Sequence, residues 1–85
     1  MTKMTFEEVV ASIKEERDTQ DKKWGSLDER QQSIPGYMLI LKKELEEAEN
    51  GWCKNVQGKH SALAEMRQVA AVAIACLQQH GISGN

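Results

Sequence analysis

Four acidic side chains lie close together in the middle of the chain, at positions 44, 46, 47 and 49. If this stretch is helical, Glu44 and Glu47 are neighbours three residues apart, on the flank of an apolar stripe. Two carboxylates beside apolar groups repel each other and are costly to remove from water. A bound cation would relieve both problems, so this pair is a candidate metal site.

The same spacing recurs later in the chain, where Glu65 and Gln68 lead into an apolar run. Helices joined by a short connection pack antiparallel, which would bring the two pairs face to face. Oxygen ligands on facing helices suit Mg²⁺, or Mn²⁺. The spacing alone is weakly specific, because acidic pairs on helices are more often solvated. His60 and His80 do not have the Glu-x-x-His spacing of a di-iron site, and a helix-capping or helix-dipole role explains them better.

The first of three predicted helices begins with a capping box, formed by Thr5 and Glu8, and ends at Gly25. One face of this helix changes character along its length. Its first half is apolar and its second half is polar, which is typical of a helix that leaves the core and enters a wet cleft. The apolar positions are Phe6, Val9, Val10 and Ile13, and the polar face continues through Arg17, Gln20 and Trp24.

The second helix is predicted to start at Ser33-Ile34-Pro35-Gly36, because proline is favoured in the first helical turn, and to stop at Asn50-Gly51. The third spans about Ser61 to His80, with Gly81 as its stop. The predicted apolar stripe of the second helix consists of Tyr37, Met38, Leu41, Leu45 and Ala48.

The third helix is apolar nearly all round between residues 69 and 77, so it must be covered on several sides. Two companion helices cannot easily do this. We therefore expect an all-α bundle with three main helices per chain, completed by oligomerisation into a dimer or tetramer. A third helix covered within its own chain is the alternative.

The composition describes an ordinary globular chain with one domain, residues 1–85. Apolar residues make up 40%, charged residues 28%, and the net charge is −2. No cationic stripe is present, which disfavours a nucleic-acid polymer as partner. No apolar run approaches the roughly 20 residues that span a bilayer. Without an export signal, and with two isolated cysteines outside CxxC spacing, we expect a cytoplasmic protein with reduced thiols.

Three stretches, in order, resemble the MazG-like all-α nucleoside triphosphate pyrophosphohydrolases. The order Glu44-x-x-Glu47, then Glu65-x-x-Gln68, is similar to the family's Glu-x-x-Glu and Glu-x-x-Asp motifs. Residues 16–25 (ERDTQDKKWG) and 68–75 (QVAAVAIA) look like its small phage- and bacterial-type branch. The resemblance covers about residues 6 to 80.

This resemblance implies a Mg²⁺-dependent oligomeric enzyme that hydrolyses a nucleoside triphosphate between its α- and β-phosphates, often described as house-cleaning. By motif match, the metal ligands would be Glu44, Glu47, Glu65 and Gln68, and Glu47 is our choice of general base. Arg17 or Lys54 would contact phosphates and Trp24 would stack on the base. The structural alternatives are core or interface packing for Trp24 and a solvated loop position for Lys54.

Two positions depart from the family pattern. Lys43 stands where the family often has Glu, and the amide of Gln68 replaces the usual Asp. These departures motivate an alternative function, a non-catalytic MazG-fold oligomer that binds a nucleotide or a protein. A third reading, an unrelated helical adaptor or antitoxin-like module, rests on the apolar third helix alone.

Overall fold

The computed structural model describes residues 3–83, and these residues form three α-helices and one short 3₁₀ turn. Helix α1 spans Phe6–Trp24, α2 spans Ile34–Cys53, and α3 spans Ala62–His80, with the 3₁₀ turn at Gly58–His60 between the last two. No strand occurs in this part of the chain. The all-α prediction is confirmed.

Most helix ends follow from local capping chemistry. The Thr5 hydroxyl accepts from the Glu8 amide at 3.1 Å and the Glu8 carboxylate accepts from the Thr5 amide at 2.8 Å, which completes the predicted capping box. Ser33 and Ser61 cap α2 and α3 through their hydroxyls. Gly81, at φ 81°, ends α3 in a left-handed conformation that glycine adopts without strain.

The predicted stop at Asn50-Gly51 is wrong, because α2 continues to Cys53. A Cβ on Gly51 would lie 2.9 Å from the carbonyl oxygen of His60, so glycine serves close backbone approach here rather than helix termination. The residue that takes the left-handed conformation after the helix is Asn55, at φ 54°.

The helices run up, down and up, and both α1 and α2 pack on α3 without packing on each other. Tyr37 near the start of α2 meets His80 at the end of α3, and Gly51 meets the start of α3, so these two helices are antiparallel as expected. Helix α1 is fastened to α3 by Arg67, which donates two hydrogen bonds to the carbonyl oxygen of Ser12. The space above α3 and between α1 and α2 is consequently an open cleft.

The core is small and lies between α2 and α3. Tyr37, Val72 and Ala75 are buried at its centre, with Leu41 and Cys76 among the partly buried residues around it. The predicted stripe of α2 is therefore only partly confirmed. Tyr37 and Ala48 are buried, whereas Met38 and Leu45 are exposed, and Leu45 borders an open groove between α2 and α3.

Much apolar surface remains exposed on α1 and α3. Phe6 keeps 78% of its surface exposed, and Val9 and Val10 are also exposed, so the first half of α1 does not enter a core of this chain as its pattern suggested. On α3, Leu63 and Ile74 are exposed on the side opposite Val72. Within residues 3–83, no helix combines the length and apolarity needed to cross a membrane.

Candidate metal centre

Three carboxylates from α2 and α3 converge at one point. Glu44 and Glu47 come from adjacent turns of α2, and Glu65 comes from the first turn of α3. One oxygen of each lies within 4.8 Å of the others. The antiparallel packing produces this arrangement, because it sets the C-terminal half of α2 against the start of α3.

Glu65 is the most deeply placed of the three, with 3% of its surface exposed. Its Oε1 lies 3.1 Å from Nδ1 of His60, a residue in the 3₁₀ turn. Since an ionised carboxylate only accepts, His60 is the donor of this bond. Oε2 of Glu65 is buried and has no hydrogen-bond partner in the protein. The histidine therefore occupies one oxygen and leaves the other free for a ligand.

Glu44 is half-buried, and its Oε2 is also buried without a partner. Burial raises the pKa of Glu44, and the negative charges of Glu47 and Glu65 raise it further, against the opposing effect of the Lys43 ammonium. Buried polar atoms are nearly always hydrogen-bonded in folded proteins. Two orphan oxygens in one acidic cluster fit a bound cation, which would satisfy both oxygens and offset the repulsion.

Glu47 is the exposed member of the cluster and faces solvent. Gln68 lies on α3 one turn after Glu65 and is partly buried. Residues at this spacing share a helix face, so Gln68 follows Glu65 along the same side of α3. The three carboxylates are thus brought together by the fold, and the helical spacing puts Gln68, a neutral amide, on the same face of α3 as Glu65.

A cleft of about 210 Å³ opens beside Glu44, between α1 and α2 and above α3. The indole of Trp24 lines it, together with Tyr37 and the side chains of Arg30 and Lys43. The Arg30 guanidinium lies 5.5 Å and the Lys23 ammonium 5.1 Å from the Trp24 ring centre, within cation–π range. The structure therefore places Trp24 and Glu44 in the lining of one cleft.

Lys54 lies on the other side of the carboxylates. It caps α2 and, with Glu47, Glu65 and His60, lines a separate depression of about 330 Å³. The carboxylates thus stand between an aromatic cleft and a depression that carries a lysine.

Arg17 is buried, and all three of its guanidinium nitrogens donate hydrogen bonds within the protein. Nε donates to Gln78 at 3.0 Å, one terminal nitrogen to Gln20 at 3.3 Å and the other to Asp21 at 3.0 Å. The bond to Gln78 joins α1 to α3, and the bonds to Gln20 and Asp21 lie within α1. The three bonds use three of the five N–H groups of the guanidinium, and the contact with a phosphate predicted for Arg17 stays a prediction.

Sequence reasoning missed several side chains of this region. A capping or helix-dipole role is predicted for His60, whereas in the structure the Ser61 hydroxyl caps α3 and the His60 ring is hydrogen-bonded to Glu65. Its position five residues before Glu65, across a helix start, was the available signal. Arg30 lies in a polar loop that carries no sequence motif. Gln79 of α3 holds this loop by two hydrogen bonds to its backbone, at Leu27 and Gln32.

No protein-family model, curated protein or solved structure matches this chain.

Proposed function

We propose that this chain is a Mg²⁺-dependent nucleoside triphosphate pyrophosphohydrolase that releases a nucleoside monophosphate and pyrophosphate. The observation that carries the proposal is the cluster of Glu44, Glu47 and Glu65 within 4.8 Å, with two buried carboxylate oxygens that have no protein partner. This set of hard oxygen donors fits Mg²⁺, and Mn²⁺ is a second candidate.

Glu44 and Glu65 would hold the ion through their unpartnered oxygens, with His60 orienting Glu65 as an outer partner. When bound, Mg²⁺ supplies charge neutralisation for the triphosphate and acidifies a coordinated water. Glu47 is the exposed carboxylate, so it can reach solvent and accept the proton of an attacking water. Gln68 would add an amide oxygen beside Glu65.

The surroundings of the cluster suit a nucleotide. Trp24 offers an aromatic face in the cleft on one side of the carboxylates, and Lys54 offers a positive charge in the depression on the other. A base beside Trp24 and phosphates at the carboxylates and Lys54 would place the nucleotide across the gap between α1 and α2. Arg17 supports the α1 wall of this gap through its bonds to Gln78 and Gln20.

We further propose that the active form is a homo-oligomer. The buried core of one chain is small, while large apolar side chains on α1, α2 and α3 remain exposed, among them Phe6, Trp52 and Leu63. Apolar surface on this scale marks association sites in soluble proteins. A second copy of the chain would cover it and supply the burial that a domain of this size lacks.

The test is pyrophosphate release from a panel of ribo- and deoxyribonucleoside triphosphates, with Mg²⁺ or Mn²⁺, for wild type, Glu47→Ala and Glu46→Ala. Glu46 is the matched control because it is an exposed carboxylate next in sequence and outside the cluster. We expect metal-dependent release that Glu47→Ala lowers by about 10²-fold or more and Glu46→Ala leaves intact.

No release by folded protein with any triphosphate would contradict the proposal. If that protein still bound nucleotide, the non-catalytic binding module, which Lys43 and Gln68 already motivate, would take its place. Equal loss in both variants would instead mean that general charge, rather than the position of Glu47, sets the rate.

A further inference from the structure

The cleft between α1 and α2 contains a second set of unpartnered polar atoms, distinct from the carboxylates. They are Nε2 of Gln20, Nε of Arg30 and the hydroxyl of Tyr37, all buried without a hydrogen-bond partner. Gln20 is 3% and Tyr37 1% exposed, and all three residues line the cleft beside Trp24. Buried polar groups are rarely left unpaired, so three around one cleft point to a missing ligand.

The orientation of the Gln20 amide is fixed by its neighbour. Arg17 donates from a terminal nitrogen to Oε1 of Gln20 at 3.3 Å. A guanidinium cannot accept a hydrogen bond, so the oxygen of the amide must face Arg17. The amide nitrogen of Gln20 is then the group left to bind a ligand, and it can only donate.

The unpartnered groups of this second set are therefore mainly donors, whereas Glu44, which also lines the cleft, is an acceptor that the proposed function assigns to the metal ion. Gln20 and Arg30 present N–H groups that cannot accept, and the Tyr37 hydroxyl can do either. Its other walls are apolar or aromatic and are formed by Trp24, Ile40, Val72 and Ala75. A flat ligand with carbonyl oxygens at its edge satisfies the donors and fills the space between these walls. A free phosphate fits poorly, because it has no apolar face and would meet the carboxylate of Glu44.

We infer that this cleft selects nucleobases that carry a carbonyl group, such as uracil or hypoxanthine, over their amino counterparts cytosine and adenine. This inference rests on the proposed nucleotide substrate and names its base class. An amino group in place of the carbonyl would set donor against donor at the N–H of Gln20 or Arg30. The adjacent ring nitrogen changes from donor to acceptor at the same time, and the Tyr37 hydroxyl can pair with either form. Sites that hydrogen-bond one substrate group reject the analogue that lacks it.

The experiment is calorimetric titration of the full chain with nucleoside monophosphates in the presence of Mg²⁺. Uridine and cytidine 5′-monophosphates form one matched pair, and inosine and adenosine 5′-monophosphates form the other. We expect the oxo member of at least one pair to bind about tenfold or more tightly than its amino partner. Inorganic phosphate, titrated alone, should give no signal that depends on Gln20.

Gln20→Glu is the decisive variant. One carboxylate oxygen stays on Arg17, and the other presents an acceptor where the amide presented a donor. The preference should then move towards the amino member. Gln31→Glu makes the same change at an exposed position outside the cleft and should leave the preference unchanged. If Gln20→Glu does not fold, Gln20→Met keeps the length of the side chain, removes the donor and should reduce the preference to near unity.

Equal affinity for both members of each pair, a preference for the amino member, or a preference that survives both Gln20 variants would overturn the inference. Metal-dependent hydrolysis of all triphosphates without base preference would also overturn it, while leaving the proposed function standing. Selective monophosphate binding by a protein that hydrolyses no triphosphate would support the cleft assignment and reject the proposed activity.

Discussion

The two halves of α1 contrast in a way that reverses the usual relation between hydrophobicity and burial. In the first half, Phe6, Val9 and Val10 are apolar and are 78%, 39% and 46% exposed. In the second half, Arg17 and Gln20 are polar and are 7% and 3% exposed. Both halves belong to one uninterrupted helix that packs on α3 alone.

The difference arises from what each half meets on α3. Arg17 meets Gln78 and is also satisfied by Gln20 and Asp21, and a polar group that is hydrogen-bonded can be buried at modest cost. The first half instead borders a shallow depression whose α3 side is formed by Leu63 and Met66, themselves exposed. Burial in α1 therefore depends on whether each side chain has a partner on α3. The polar half has a hydrogen-bond partner there, whereas the apolar half is not covered by the described part of the chain.

The largest expected effect tests the buried polar half. Arg17→Met removes a guanidinium that donates to Gln78, Gln20 and Asp21, and leaves the amide oxygen of the buried Gln20 unpaired. We expect a loss of about 2–4 kcal/mol in the free energy of unfolding, somewhat below the range for a fully buried pair because Asp21 is partly exposed. Urea unfolding with linear extrapolation measures this loss.

The matched control for Arg17 is Lys22→Met, which removes a cation from an exposed position on the same helix. It should change the free energy of unfolding by no more than about 0.5 kcal/mol. Similar losses for the two variants would mean that the polar half of α1 is held by general packing and not by the hydrogen bonds of Arg17.

The next effect concerns the exposed apolar half. We call the surface formed by Val9, Ile13, Leu63 and Met66 the α1/α3 apolar surface. If a second copy covers it, Leu63→Glu buries an unpaired charge in the interface and should weaken self-association by about tenfold or more, as measured by sedimentation equilibrium. Leu63 is 70% exposed, so the single chain should keep its helical content.

Leu39→Glu is the control for this surface. Leu39 is as exposed as Leu63, at 71%, but lies on α2 and outside the α1/α3 apolar surface. It should leave the association constant nearly unchanged. If wild type is monomeric at the concentrations used for activity, or if both variants behave alike, the apolar half of α1 is not an interface between copies.

The same contrast shows what the sequence could predict. Caps such as Thr5 and Ser61 depend on residues within one turn, so the helices and most of their ends could be predicted from the sequence. The convergence of Glu44, Glu47 and Glu65 followed from helical spacing and antiparallel packing, which are also simple rules.

What the sequence could not predict depends on where other elements approach. Gly51 resembles a helix stop unless the backbone of His60 is known to lie against it. Likewise, the pattern of α1 suggested an apolar half in the core, because hydrophobicity alone does not say whether a partner lies within the same chain. The depth of Glu65 and its bond to His60 depend on the fold of the 3₁₀ turn.

The smallest effect extends the comparison to Glu44, which is polar and partly buried like the second half of α1 but has a buried oxygen, Oε2, without a hydrogen-bond partner. Burial and the nearby charges of Glu47 and Glu65 raise the pKa of Glu44 above its ordinary value of 4.5. The folded protein therefore binds this proton more tightly than the unfolded chain does. The resulting stability is present below pH 4.5 and is lost as the pH rises through the raised pKa.

Glu44→Gln mimics the protonated side chain, so in EDTA its melting temperature should exceed that of wild type increasingly as the pH rises from 4.5 to neutral. The difference in melting temperature between the two proteins should stay below roughly 4–8 °C, the shift that 1 kcal/mol produces in a domain of this size. Water screens the charge of a half-buried group and keeps the effect small. Glu46→Gln, outside the cluster, should show no such trend. Mg²⁺ at neutral pH should raise the melting temperature of wild type more than that of Glu44→Gln, since a ligand of the folded state stabilises by mass action. A difference in melting temperature that does not change with pH would show that the protein itself compensates the burial and charge repulsion of Glu44. The cluster would then need no cation.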